Sequence, residues 1–362
     1  MTSLRPNQPG RILVRGTNWV GDAVMTLPAC AALHEVCPQA QIEVLAKPWV
    51  AAVYEASPAV TRVITLDDKE AHAGLGGLWR LSQELKARRY DWAVLWQNAL
   101  QAAVIAWLAG VPVRLGYDSD ARRLLLSHAV KRTPQARSLH ETAYYLNILA
   151  QVGLLEHDPP ATGVTPVLEL NPHDLGWAEG FLAGERLEGG RLLGCAPGAS
   201  FGPAKCWPAE RFAAALRDLA GQGYEAVLLF GSVAEAPATR AVAQGLKGLK
   251  VVDLSGRTDL AQALALLGRL DLFLTNDSGL MHAAAALGVP TLAVFGSTNP
   301  VTTAPLGAWV ELVRRPVECS PCLKPVCAKG DLRCFSAITP EEVTQAALGL
   351  LARRAGQGGA GS

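Results

Sequence analysis

The strongest constraint on the fold is an alternation of short apolar strands with helices, which runs through the chain twice. The strands predicted in the N-terminal half are 11–15, 41–46, 62–66, 92–96 and 113–117. Those predicted in the C-terminal half are 191–196, 226–230, 251–254, 272–276 and 291–295. Strands that are apolar on both faces and alternate with helices predict parallel sheets covered on each side. We therefore expect an α/β protein with two Rossmann-like halves and a cleft between them.

A proline-rich segment at 158–172 is the predicted linker between the halves, because its prolines stiffen the chain. It sets the expected domains at 1–160 and 173–338. A closing helix is predicted at 339–354, with Glu341 and Glu342 near its start and arginines near its end, which suits the helix dipole. The glycine-rich residues 355–362 are predicted to be a flexible tail.

Charge and hydropathy exclude several classes of protein. Lys and Arg number 33 against 32 Asp and Glu, a formal net charge of +1, which disfavours a nucleic-acid-binding protein. The longest uncharged stretches are broken by glycine, proline or polar residues, and so predict buried units rather than membrane spans. Residues 1–10 lack a signal-peptide pattern, so we expect a cytoplasmic protein whose eight cysteines are reduced.

The loop after the first strand contains a candidate catalytic acid. Gly16 and Gly21 allow a tight turn and a close approach to a ligand, and Asp22 follows at the start of a helix. Asp22 could be a general base for a substrate hydroxyl, or only a helix-capping carboxylate. The loop has neither a G-x-G-x-x-G pattern nor a P-loop lysine, which weakens the dinucleotide and NTPase interpretations.

A second candidate site follows the strand at 272–276. The sequence Asn276-Asp277-Ser278-Gly279-Leu280-Met281-His282 places polar residues at the start of a helix of small residues. Ligands of open parallel sheets bind beyond the carboxyl ends of the strands, and the N–H groups of a helix start attract anions. Alternatively, the Asp-Ser pair is only an N-cap and His282 only a packed residue.

Three sequence blocks together resemble the ADP-heptose:lipopolysaccharide heptosyltransferases. They are Val20-Gly21-Asp22, the block 197–208 (Pro-Gly-Ala-Ser-Phe-Gly-Pro-Ala-Lys-Cys-Trp-Pro) and the block 276–282. A cysteine block at 319–334 resembles the type II members of that family. The resemblance implies a GT-B fold, with two Rossmann-like domains facing across a cleft. It also implies inverting, metal-independent transfer of heptose from ADP-heptose to the inner-core heptose of a lipid A-core saccharide acceptor.

The resemblance assigns roles to individual residues. It implies that the N-terminal domain binds the acceptor and carries Asp22 as the base. Apart from the resemblance, Thr17 in the loop before Asp22, and Arg122 and Arg123 in the basic segment 111–140, are acceptor-side candidates. The C-terminal domain would bind the donor through Ser200, Lys205, Glu235, Asp277, Ser278, Gly279 and His282. Lys205 would meet the charge on the leaving ADP, which no metal neutralises. Lys205 could instead be a solvated loop lysine, and Glu235 an ordinary first-turn helix acid.

The segment 111–140 has six basic residues against two acids, a local net charge of +4. Such a segment could attract a phosphorylated core saccharide or the inner face of the cytoplasmic membrane, and so predicts peripheral membrane contact. It could also be merely a solvated face.

Cys319, Cys322, Cys327 and Cys334 either bind a structural zinc ion or form a packed thiol loop, and we predict no catalytic metal and no cofactor. Type I or III heptosyltransferases, a GT-B-shaped sugar-nucleotide epimerase and a non-catalytic nucleotide-binding module are the alternative functions.

Overall fold

The chain divides into two compact units, Met1–Glu169 (unit 1) and Leu170–Ser362 (unit 2). The structure is a computed structural model that describes residues 4 and 9–358. In that part of the chain, each unit contains one six-stranded sheet, and all the strand pairings recorded in the two sheets are parallel. The predicted α/β class is confirmed.

The sheet of unit 1 has the strand order β3-β2-β1-β4-β5-β6. Its strands are β1 Arg11–Arg15, β2 Gln41–Ala46, β3 Arg62–Thr65, β4 Trp92–Leu95, β5 Val113–Tyr117 and β6 His128–Val130. Its α-helices are α1 Val20–Val36, α2 Ala51–Glu55, α3 Gly74–Ala87, α4 Leu100–Leu108, α5 Pro134–Ser138 and α6 Glu141–Gln151. Two 3-10 turns complete it, Pro48–Val50 and Arg122–Leu125.

The sheet of unit 2 has the strand order β12-β11-β10-β7-β8-β9. Its strands are β7 Leu192–Ala196, β8 Ala226–Leu229, β9 Val251–Asp253, β10 Leu272–Asn276, β11 Thr291–Phe295 and β12 Val310–Arg314. Its α-helices are α7 Pro172–Gly184, α8 Ala209–Ala220, α9 Ala236–Gly245, α10 Leu260–Leu267, α11 Gly279–Ala286, α12 Pro300–Thr303, α13 Arg333–Ser336 and α14 Pro340–Gly358. Two 3-10 turns complete it, Pro203–Lys205 and Val233–Glu235.

Burial explains why sequence analysis identified the central strands. The central strands β4, β7, β10 and β11 are buried along their whole length, so an apolar run predicts them directly. The edge strands β6 and β12 are absent from the predicted set. β6 has three residues, and β12 has the sequence Val-Glu-Leu-Val-Arg with only one fully buried position, so neither forms a continuous apolar run.

The C-terminal helix of unit 2 is longer than predicted. The predicted flexible tail begins at Ala355, but α14 continues to Gly358, so the prediction is wrong for residues 355–358. The helix already packs against α8 and β12, and its register is propagated from that packed part. Residues 359–362 lie outside the described part. Among described residues, no helix combines the length and apolar character needed to cross a membrane.

The segment predicted as a linker is partly tied to unit 1. The N–H of Glu169 donates to the carbonyl of Ala56 at 2.8 Å. Asn171 then caps α7 by accepting from the N–H of Asp174 at 2.9 Å, with Pro172 as the first helical residue. The change of unit therefore falls between Glu169 and the cap of α7.

Candidate active site

In unit 1 the loop that precedes Asp22 is held against Tyr54. The Tyr54 hydroxyl accepts from the N–H of Thr17 at 3.0 Å, and the N–H of Gly16 donates to the carbonyl of Leu45 at 3.1 Å. A Cβ at Gly16 would lie 2.8 Å from the Tyr54 ring, so this glycine permits the close approach. Thr17 is buried, and its N–H is already used in the hydrogen bond to Tyr54. It is therefore less accessible to an acceptor than a surface residue would be.

Asp22 lies in the first turn of α1, half-buried, beyond the carboxyl end of the central strand β1. Trp19 is the N-cap residue of this helix, and its side chain makes no capping hydrogen bond. Asp22 interacts electrostatically with Glu141 and Tyr145, both of which belong to α6. Sequence analysis placed Asp22 at a helix start, at the edge of the sheet where ligands bind. It did not predict the interactions of Asp22 with the two residues of α6.

The two arginines predicted on the acceptor side have different surroundings. Arg122 is fully buried; its Nε donates to the Tyr117 carbonyl at 2.7 Å and its Nη2 to Asn98 Oδ1 at 3.1 Å. Its Nη1 donates to the Gln97 carbonyl, and burial lowers its pKa to about 10. Arg123, the next residue, is exposed. Arg122 therefore links the ends of β4 and β5 through hydrogen bonds. Of the two arginines, Arg123 is the one whose side chain is available to a ligand.

Two cations near the carboxyl ends of β1 and β2 were not among the predicted site residues. Arg15, the last residue of β1, is buried, and burial lowers its pKa to about 10. It donates to Asn18 Oδ1 at 3.0 Å. Lys47, directly after β2, is buried and forms an ion pair with Asp68. A charged residue at the end of an apolar strand was the available signal for both.

In unit 2 the buried side chain of Asn276 ties together two loops of the candidate donor site. Its Nδ2 donates to the Pro197 carbonyl at 2.7 Å, and its Oδ1 accepts from the N–H of Trp207 at 2.9 Å. Pro197 begins the glycine-containing block 197–208 after β7, and Trp207 lies near its end. Asn276, at the end of β10, therefore holds the block that carries Lys205 beside the turn that follows β10.

Lys205 and Asp277 form the central polar contact of this site. The Nζ of Lys205 lies 2.8 Å from Asp277 Oδ2, with side-chain exposures of 17% and 7%. The ammonium also lies 5.0 Å from the centre of the Phe201 ring. The two residues are 72 positions apart in sequence, and both were predicted at this site from their motifs.

The Asp277–Gly279 turn forms the start of α11. Ser278 is its N-cap: its Oγ accepts from the N–H of Met281 at 3.3 Å and lies 3.1 Å from Thr275 Oγ1. Gly279 is the first helical residue, and His282 is buried in the next turn. Ser278 therefore caps α11, and its contact with the donor stays a prediction. The other N–H groups of the first turn are directed beyond the helix end.

Glu235 lies in the first turn of the 3-10 helix Val233–Glu235 and forms a capping box with Ser232, while its contact with the nucleoside stays a prediction. Its Oε2 accepts from the N–H and the Oγ of Ser232, each at 2.8 Å. Its Oε1 lies 3.5 Å from the Oγ of Ser200, a donor-site candidate. A Cβ at Gly198 would lie 2.7 Å from Glu235 Cγ, so the glycine lets the loop after β7 pass this side chain. Glu235 and Ser200 therefore lie together beside the Lys205 loop.

The cysteine block, residues 319–334, is hydrogen-bonded to the loops that surround the donor-site candidates. The Pro325 carbonyl accepts from the N–H of Ala204 at 3.0 Å, next to Lys205. Farther along the same block, the N–H of Leu323 donates to the Ser297 carbonyl at 2.9 Å, and Ser320 Oγ donates to the Gly296 carbonyl at 2.5 Å. The block thus joins the Lys205 loop to the turn after β11.

The four cysteines of this block are free thiols in different surroundings. Cys319 is exposed and Cys334 is buried. Burial raises the pKa of Cys334, whereas backbone N–H groups, first that of Leu332 and then that of Lys329, lower the pKa of Cys327. Over residues 4 and 9–358, no group of three or more His, Cys, Asp or Glu side chains is arranged to hold a metal ion. Cys319, Cys322 and Cys327 nevertheless interact electrostatically with Cys334, so the four thiols lie near one another, and the zinc site and the packed thiol loop both stay predictions.

Gly202 offers a test of the contact between the cysteine block and the Lys205 loop. Its φ is +142°, and a Cβ there would lie 2.4 Å from the Pro325 carbonyl oxygen. We expect Gly202→Ala to reduce the free energy of unfolding by about 1–3 kcal/mol, the usual cost of a strained backbone, and to weaken ADP binding. Chemical denaturation and calorimetric ADP titration measure the two effects.

Gly248→Ala is the matched control, since Gly248 also has a positive φ, +90°, but a Cβ there would meet no atom within 4 Å. It should lose stability without losing ADP affinity. Equal ADP affinities for the two variants would mean that the cysteine block does not position Lys205.

Comparison with known proteins identifies relatives of the whole chain. Residues 78–332 match the family model described as "Glycosyltransferase family 9 (heptosyltransferase)". Lipopolysaccharide heptosyltransferase 2 of Salmonella typhimurium is 32% identical over 92% of this chain and 97% of its own. The structure of Escherichia coli ADP-heptose LPS heptosyltransferase II superposes with a TM-score of 0.80 at 29% identity, covering 95% of this chain and 99% of that one.

A glycosyltransferase family 9 structure from Veillonella parvula superposes with a TM-score of 0.86 at 25% identity, covering 97% of this chain and 100% of that one. These matches confirm the resemblance drawn from the three sequence blocks. They also confirm the prediction that the fold is that of the GT-B heptosyltransferases.

Proposed function

The chain belongs to glycosyltransferase family 9, the heptosyltransferases, and we propose that it transfers heptose from ADP-heptose to the inner-core heptose of lipopolysaccharide. The observation that carries the proposal is the Lys205–Asp277 pair beside the start of α11, built from the two family blocks. A half-buried ammonium next to outward-directed N–H groups suits a diphosphate. The type II acceptor is favoured by the relatives named heptosyltransferase 2.

The proposed reaction is an inverting displacement. Asp22 accepts the proton of the acceptor hydroxyl, and the hydroxyl oxygen forms a bond to the anomeric carbon of the heptose. The bond between that carbon and the β-phosphate oxygen of ADP breaks, and ADP leaves with the electron pair. The developing charge on ADP is met by Lys205 and the first turn of α11, so the chain supplies this stabilisation from its own groups, without a catalytic metal.

The surroundings of Lys205 fix the position of its ammonium in the candidate donor site. Asp277 Oδ2 lies 2.8 Å from the Lys205 ammonium, so the carboxylate holds the lysine beside the start of α11. A diphosphate carries more charge than one carboxylate and can draw the ammonium toward itself while Asp277 remains close. Ser200 is proposed to contact the diphosphate with Lys205, Glu235 to contact the nucleoside, and His282 to add a hydrogen-bond donor from α11.

We propose peripheral membrane contact through α3 and α4 of unit 1, which pack against each other. Trp79 on α3 and Trp107 on α4 are 61% and 53% exposed, and Leu124, in the turn packed on α4, is 93% exposed. The exposed cations of α3 and this turn, Arg80, Lys86 and Arg123, complement an anionic lipid surface. Tryptophan suits the membrane interface, since its ring is apolar and its N–H polar.

We expect the protein to co-sediment with vesicles that contain anionic lipid, and less with zwitterionic vesicles. Replacing Trp79 and Trp107 with serine should reduce the bound fraction several-fold, because two interfacial side chains are lost. The double variant Val164→Ser, Val167→Ser is the control, because these residues are also exposed apolar residues of unit 1 but lie outside α3 and α4. Equal binding by the two double variants would place the contact elsewhere.

The reaction itself is tested by incubating the enzyme with ADP-heptose and a series of truncated core acceptors, followed by mass spectrometry. Addition of one heptose to an acceptor that already carries one inner-core heptose supports the type II assignment. Transfer only to an acceptor without heptose, or only to a longer core, assigns type I or type III. Conversion of the donor without acceptor indicates an epimerase, and ADP binding without turnover indicates a nucleotide-binding module.

A further inference from the structure

Two acidic residues lie in the first turns of the packed helices α1 and α6. Asp22 lies in the first turn of α1, and Glu141 is the first residue of α6. The two helices pack against each other, and the charges of the two carboxyl groups interact. Glu141 is 119 residues away in sequence, and nothing in the family blocks around Asp22 refers to it. The pairing is therefore a product of tertiary structure.

The surroundings of Glu141 are mostly apolar or neutral. The groups that interact electrostatically with it are Asp22 from α1, Arg132 from the segment before α5, Tyr117 from β5, and Tyr144 and Tyr145 from its own helix. Arg132 is the cation of this group; its guanidinium lies 5.6 Å from the centre of the Tyr144 ring, and its Nε is buried without a hydrogen-bond partner among the described residues. Glu141 is therefore desolvated without a close neutralising ion pair.

The protonation of Glu141 follows from this packing. A helix start ordinarily stabilises a carboxylate. Here burial, and after it the charge of Asp22, raises the pKa of Glu141 from 4.5 to about 7, against the smaller opposing effect of Arg132. Two carboxylates that repel each other titrate as a pair, so one proton is retained between them up to near-neutral pH.

We propose that Glu141 is a positioning residue that makes Asp22 a stronger base. This inference rests on the proposed function of Asp22 as the base. When Glu141 is ionised, its charge favours the protonated form of Asp22, so the proton leaving the acceptor hydroxyl is taken up more readily. When Glu141 is protonated, that charge is absent and Asp22 lacks this added affinity for the proton. The pair, rather than Asp22 alone, then determines how transfer depends on pH.

The activity test compares Glu141→Gln with the parent between pH 5.5 and 8.5. The parent kcat/KM for the acceptor should rise roughly tenfold through a midpoint near 7, because a base is more effective when its proton affinity approaches the working pH. Glu141→Gln should lack this rise and be roughly tenfold slower at pH 8, with unchanged ADP affinity. Glu141→Asp should restore part of the rise. Glu55→Gln, an exposed glutamate of α2, is the matched control.

A stability measurement tests the charge pair without turnover. A carboxyl whose pKa is about 7 in the folded protein and 4.5 in the unfolded chain binds more protons when folded, so stability falls as pH rises from about 4.5 through 7. Glu141→Gln removes that loss, so its Tm relative to the parent should be higher at pH 8 than at pH 5. Asp22→Asn should shift the same pH dependence toward lower pH, whereas Glu55→Gln should change neither.

The outcomes separate the two proposals. If the parent transfers heptose and Glu141→Gln keeps the parental pH profile, the role of Glu141 is overturned. If the Tm difference between Glu141→Gln and the parent is independent of pH, the charge pair is overturned as well. If the parent transfers no heptose to any acceptor while the pH-dependent Tm difference is present, the proposed function fails and the carboxylate pair stands.

Discussion

Asp22→Ala is expected to lower turnover by about two orders of magnitude or more, because the transition state loses its proton acceptor. ADP affinity should remain near the parental value, since the donor-site candidates all belong to unit 2 and Asp22 belongs to unit 1. Rates measured at saturating acceptor, with a calorimetric ADP titration beside them, check both statements.

The controls for Asp22 address its second interpretation as a helix-capping acid. Asp22→Asn retains the size of the side chain and much of its capping capacity, and it should be nearly as slow as the alanine variant. Asp158→Ala removes an exposed aspartate of the same unit and should leave the rate unchanged. A near-parental rate in Asp22→Asn would return Asp22 to the role of a cap.

Lys205→Ala is expected to weaken ADP binding and to slow transfer, with a loss of roughly 2–4 kcal/mol in transition-state stabilisation. The effect on transfer should exceed the effect on ADP affinity, because the lysine meets more charge in the departing ADP than in the bound donor. The substitution also leaves Asp277 without its ion-pair partner at 2.8 Å, which adds repulsion toward the diphosphate. Steady-state kinetics and ADP titration measure the two losses.

A second substitution separates the two causes of the Lys205 effect. The double variant Lys205→Ala, Asp277→Asn removes the unpaired carboxylate, and it should recover part of the ADP affinity but not the rate of transfer. Lys247→Ala, an exposed lysine of unit 2, is the control for loss of a positive charge. Parental ADP affinity together with a parental rate in Lys205→Ala would mean that the donor site has been misplaced.

Much of the fold could be predicted because its signals are local. The buried strands β4, β7, β10 and β11 are continuous apolar runs, and glycine, proline or polar residues mark where they end. The positions of Asp22 and Asp277 follow from the same pattern, since parallel strands present their carboxyl ends at one edge of a sheet. The edge strand β12, with a single fully buried position, lacked that signal.

The sequence by itself therefore determined the α/β class, the family and the loops in which the candidate residues lie. Tertiary structure decided which of those residues have partners. It pairs Lys205 with Asp277 and hydrogen-bonds the cysteine block to the Lys205 loop through Pro325. It also buries Arg122, which donates to the Tyr117 carbonyl.

Tertiary structure also brings Glu141 to Asp22. Helix and strand periods are properties of neighbouring residues and can be read along the chain. The protonation of a carboxyl group depends instead on burial and on charges contributed by distant segments, and these exist only once the helices have packed.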